Sequence, residues 1–111
     1  NEFLTENNFK LFEKIILGTR DSLSEWGGEL IIVYLPELAR YKKNFVNHDT
    51  YKKKKNILNM IRRNNIKVID IHEEFFSNQK DPLSFFPLRS YGHYNLKGYE
   101  RISRIIYNYL Y

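Results

Sequence analysis

Glu29-Leu30-Ile31-Ile32-Val33-Tyr34-Leu35-Pro36 decides the fold, together with a second run, Ile66-Lys67-Val68-Ile69-Asp70-Ile71. Each is short, apolar and rich in β-branched side chains. That pattern predicts strands buried on both faces, as in a parallel sheet. Pro36 ends the first, because it has no N–H to give the ladder. A polar, basic loop over 37–48 follows. Asp49 can then cap a helix over about 50–64. The apolar face of that helix would be Tyr51, Ile57, Leu58 and Ile61, with Lys52 to Lys55 near its start and Arg62-Arg63 near its end. Asn64-Asn65 turns the chain out, since asparagine tolerates the left-handed region. Strand, helix, strand makes a βαβ unit, and its crossover should be right-handed.

Working outward, residues 6–26 predict a first helix. Phe9, Phe12, Ile16, Leu23 and Trp26 share a face with Ile15, Thr5 is the N-cap, and Gly27-Gly28 closes the last turn. After the second strand, His72 to Ser77 suggests a short helical turn. Asn78 to Tyr94 reads as a long loop containing Pro82 and Pro87; loops of that length are commonly functional or disordered. Asn95 caps a last helix over 96–110, with Ile102, Ile105, Ile106, Tyr109 and Leu110 on its buried side. The order α-β-α-β-α over 1–111 places the chain in the α/β class as a single domain. Two strands make a poor sheet, because both edges stay open. A missing N-terminal half, or a second copy, is expected to cover them. The chain starts at Asn1 rather than Met, which fits a piece of a larger domain.

Composition narrows the function classes. Among 111 residues there is no cysteine, which excludes disulfides, thiolate zinc sites and cysteine nucleophiles. No apolar run is long enough for a membrane span, and Asn1-Glu2-Phe3-Leu4-Thr5 has no signal-peptide pattern. None of this selects a compartment. The net charge is +5, and Tyr41-Lys42-Lys43 and Tyr51-Lys52-Lys53-Lys54-Lys55 interleave aromatic and basic residues. That suits a small basic module binding nucleic acid or another polyanion. The competing reading is the solvated face of a crossover helix in a chain that leans to Lys, Asn, Ile, Tyr and Phe. It is the favoured one, and it disfavours nucleic acid as a partner. His48, His72 and His93 are scattered, and His72-Glu73-Glu74 lacks the second histidine of a zincin helix. It reads as a solvated acidic turn. Without a phosphate-cradling glycine loop either, no metal or cofactor is expected.

The most specific functional stretch is Ser90-Tyr91-Gly92-His93-Tyr94-Asn95-Leu96-Lys97-Gly98-Tyr99. It sets a histidine on a loop just before a capped helix. A neutral imidazole there can take a proton from a hydroxyl nucleophile. The plainer alternative is a histidine that only bonds its own loop. Gly92 permits a sharp approach, and Gly98 lets the helix lie close to its neighbour. None of Ser22, Ser24, Ser77, Ser84, Ser90 or Ser103 sits in a strand-to-helix elbow that would expose a nucleophile.

Gly92-His93-Tyr94-Asn95, followed by Gly98-Tyr99 and an apolar helix, resembles the last conserved block of the SGNH, or GDSL-type, hydrolases. There a C-terminal loop supplies the catalytic histidine. The strand ending in Leu35-Pro36, the crossover helix, the strand with Asp70, then Asp81-Pro82-Leu83 and Phe85-Phe86-Pro87 extend the likeness over 29–111. The resemblance implies a three-layer αβα (flavodoxin-like) fold with a parallel sheet. It implies an ester substrate, an O-acylated sugar among the candidates, with His93 as general base. No Gly-Asp-Ser and no Gly-x-Asn-Asp occurs in the chain, so the nucleophile is expected upstream of Asn1, and these residues alone would be inactive. Ser90 stands where the family usually carries the aspartate that orients the imidazole. A Ser90–His93 pair, a backbone carbonyl, Asp70 or Asp81 could take that role. Phe85 and Phe86, with Leu88, either line a substrate pocket alongside Tyr94 and Asn95 or pack as a lid on the sheet.

Overall fold

Helix α1 spans Glu6–Ser24, and Gly27 ends its trailing turn with a φ of 84°. The computed structural model describes residues 6–42 and 48–111, the side chains of 48–50 excepted. Thr5 and Lys43 therefore lie outside the described residues. Strand β1 is Ile31–Tyr34 and strand β2 is Lys67–Asp70; they pair in a two-stranded parallel sheet. Helix α2, His48–Arg63, lies between them in sequence. It starts one residue before Asp49, whose side chain is not described. The αL turn falls at Asn65, with a φ of 60°. Helix α3 is the single turn Ile71–Glu74, and α4 is Leu96–Leu110. Short 3-10 turns occupy Leu38–Tyr41, Phe76–Asn78, Pro82–Phe85 and Pro87–Arg89.

The expectation of strands buried on both faces fails for β1, whose residues are all half-buried. A strand in a sheet of two has a neighbour on one side only, so solvent reaches it from the other edge. β2 does better: Ile69 is fully buried, and Ile66 and Ile71 at its flanks are buried as well. The expected loop over 37–48 is partly a 3-10 turn, anchored by buried Leu38.

The chain divides into two compact units, Asn1–Ile32 with Asn47–Val68, and Val33–Val46 with Ile69–Tyr111. In the first, α1 buries no residue completely; Ile15 is 57% and Trp26 72% exposed, against the apolar face expected for them. The buried residues come from α2 and its exit: Leu58, Met60, Ile61 and Ile66. Polar clips hold α1 there. Arg20 Nη1 donates to the Asn64 carbonyl at 2.8 Å, and the Asn64 amide donates to Glu13 Oε2 at 3.3 Å.

The second unit has an aromatic core. Phe75, Phe76, Phe85, Phe86 and Tyr94 are buried with Leu38, Ile69, Ile71 and Ile102. Phe76 meets Phe75 and Phe85 edge to face at 5.1 and 5.8 Å and stacks on Tyr41 at 5.0 Å. Each such ring contributes about 1.5–3 kcal/mol by leaving water. On α4 only Gly98 and Ile102 are buried; Tyr109 and Leu110, expected inside, are exposed.

Candidate functional site

Asn95 builds the platform under His93. Its side-chain oxygen accepts from Gly98 N at 2.9 Å, which caps α4, and its amide donates to the Ser84 carbonyl at 2.8 Å. The Asn95 backbone N–H donates to Phe85 O at 2.9 Å. A Cβ added at Gly98 would lie 2.8 Å from Phe85 O, so only glycine lets α4 start this close to the loop. Tyr94 is 8% exposed, and its hydroxyl donates to the Pro36 carbonyl just beyond β1. Burial chiefly, and then Tyr34 and Tyr99, pushes the Tyr94 phenol up, so it stays a donor. One residue upstream of this anchor, His93 is exposed and stacks on Tyr91 at 6.4 Å.

The His93 ring has one hydrogen-bond partner among the described residues, the Tyr94 carbonyl, 3.1 Å from Nδ1. A carbonyl only accepts, so Nδ1 carries the proton. In the neutral ring Nε2 is then the lone-pair nitrogen. That is the tautomer a general base needs. Upstream, Leu88 and Arg89 both take the left-handed conformation, with φ of 50° and 58°. Non-glycine residues pay roughly 1–3 kcal/mol each for such backbone. Here it turns the chain sharply from buried Phe86 to the exposed Ser90–His93 loop.

No family model, no curated protein and no solved structure matches the chain.

The other residues singled out in the sequence fall as follows. Ser90 is exposed, and its N–H donates to Pro87 O at 3.1 Å. Asp70 caps α3 by accepting from His72 N and Glu73 N at 3.0 and 3.2 Å. Asp81 pairs with Arg89 at 2.5 Å, and that hydrogen bond, first, holds its carboxyl below the usual range. Among the described residues neither carboxylate, nor Ser90, bonds His93. Phe85 and Phe86 are 3% and 1% exposed and belong to the core. Of the lysines, Lys52 and Lys55 are exposed, and Lys54 lies 5.5 Å from the Tyr51 ring centroid. No helix among the described residues is long and apolar enough to cross a membrane.

Sequence reasoning passed over a second cluster in the same unit. His72, read as part of a solvated acidic turn, is half-buried, and its Nδ1 lies 2.8 Å from the Tyr41 hydroxyl. The two rings stack at 5.7 Å. Burial first, then the Arg40 guanidinium, lowers the His72 pKa, while burial raises that of Tyr41. Arg40 donates to the Tyr34 hydroxyl at 3.0 Å. Tyr34 ends β1 and His72 follows β2 by two residues. The cluster thus forms at the carboxyl ends of parallel strands, where α/β folds gather polar groups. The available signal was positional: a histidine immediately after a strand, and a tyrosine-arginine pair just past Pro36.

Proposed function

We propose that this chain is the histidine-bearing part of an SGNH-type serine ester hydrolase, within a three-layer αβα, flavodoxin-like domain. The observation that carries the reading is the His93 ring, exposed on a loop before the Asn95-capped α4 with Nδ1 bound to the Tyr94 carbonyl. A serine outside this chain attacks the ester carbonyl. His93 Nε2 accepts the hydroxyl proton and, as imidazolium, returns it to the departing alcohol. Water then repeats the sequence on the acyl-enzyme, giving acid and free serine. The backbone carbonyl fills the place of an orienting acid. It fixes the tautomer, but it stabilises imidazolium less than a carboxylate would. The substrate class is a small ester, an O-acylated sugar among the candidates.

The test is hydrolysis of p-nitrophenyl acetate by the intact protein, beside the His93→Ala variant and residues 1–111 alone. The reading expects turnover by the intact protein only. Unchanged turnover in the His93 variant, or turnover by residues 1–111 alone, would sink it.

A further inference from the structure

A groove of about 490 Å³ lies between α1 and α2, lined by Glu6, Phe9, Lys53, Asn56, Asn59 and Arg63. Its charges do not cancel. Glu6 is already paired with Lys10 at 3.3 Å. Among the described residues, Lys53 and Arg63 form no ion pair, and the Asn56 and Asn59 amides make no hydrogen bond. Among the described residues the groove therefore offers two cations without an ion-pair partner, two amides between them on one helix, and one aromatic ring opposite.

We infer that this groove binds an acidic oligosaccharide in which carboxylates are separated by uncharged sugar units. The spacing argues for such a chain. Ten residues of α2 separate Lys53 from Arg63, about 15 Å of rise between their backbones. That exceeds the screening length of roughly 8 Å at physiological salt, so the two act as separate charges and each needs its own anion. The Arg63 fork suits a carboxylate, and Lys53 supplies a point charge. Between them, Asn56 and Asn59 both donate and accept, which matches sugar hydroxyls. Phe9 gives an apolar face for a sugar ring. Single-stranded nucleic acid fits less well. It carries a phosphate on every nucleotide and binds by stacking successive bases on several aromatics, and among the described residues one ring lines the groove. The inference moves polyanion binding from the lysine run as a whole to Lys53 and a distant arginine. It does not depend on His93.

The experiment is a titration of the full chain with a hyaluronan hexasaccharide, followed by NMR of the asparagine side-chain amides. The Asn56 and Asn59 amides should shift. Lys53→Gln with Arg63→Gln should weaken binding about tenfold, a factor worth 1.4 kcal/mol. The charge-matched control, Lys55→Gln with Arg62→Gln, should leave affinity unchanged. An equal loss in the control would overturn the inference, because it would reduce binding to general charge. So would silent asparagine amides, or tighter binding of an oligouridylate of equal charge.

Discussion

His93 and His72 lie in the same unit and meet opposite surroundings. His93 is exposed, held at one nitrogen by the carbonyl next to it. His72 is half-buried, stacked on Tyr41 and bonded to its hydroxyl. The first keeps a lone pair at Nε2 with no described protein partner. The second is part of the packing, and its environment resists the charge a base must carry during turnover. The contrast shows that a histidine's use follows from what its two nitrogens already do, more than from the loop that presents it.

The largest expected effect tests the active side of the contrast. If the proposed hydrolase reading holds, His93→Ala should lower ester hydrolysis by the intact protein about 10³-fold or more, with thermal stability unchanged. If His72→Ala removed activity while His93→Ala did not, the two roles would be reversed. Next comes the core behind His72. Phe76→Ala should cost about 3–5 kcal/mol in denaturant unfolding, as a deleted buried ring does. Ile15→Ala on the exposed side of α1 should stay within about 0.5 kcal/mol.

Smaller effects sharpen the His93 side. Tyr94→Phe leaves the Pro36 carbonyl without its donor and should cost about 1–3 kcal/mol. Asn95→Ala removes the cap of α4 and the tie to Ser84, for about 1–2 kcal/mol. On the proposed hydrolase reading it should also lower ester hydrolysis, because the His93 loop loses its platform.

The smallest effect is a pH dependence belonging to His72. Its folded pKa is lowered from the ordinary 6.5, mainly by burial. The unfolded chain therefore takes up the proton first. Stability is full above that value and falls as pH drops below it, until the folded ring also titrates. His72→Gln should flatten this part of the stability-pH curve. An unchanged slope would mean that His72 is not set apart from solvent as its packing indicates.

Much of the architecture was legible in local chemistry. Gly27, Asn65 and Asn95 act where their backbone preferences and capping groups predict, and both apolar runs form strands. The errors share a cause. Trp26, Ile15, Tyr109 and Leu110 satisfy helical spacing, yet periodicity tells which residues share a face and not whether anything covers it. The apolar run of β1 likewise predicts burial that its open edge in a two-stranded sheet does not give. His72 was passed over because its neighbours in sequence are acidic, while its neighbours in space are Tyr41 and Arg40, 31 residues away in the case of Tyr41.

The sequence by itself determined the order of elements, the capped start of α4 and a histidine one step before it. These depend on contacts within a few residues. Only the tertiary structure decided that Phe85 and Phe86 are core, that Asp70 and Asp81 are occupied elsewhere, and that the Tyr94 carbonyl sets the His93 tautomer. Burial and hydrogen-bond partnership depend on which distant segments meet, and a one-dimensional pattern does not hold that information.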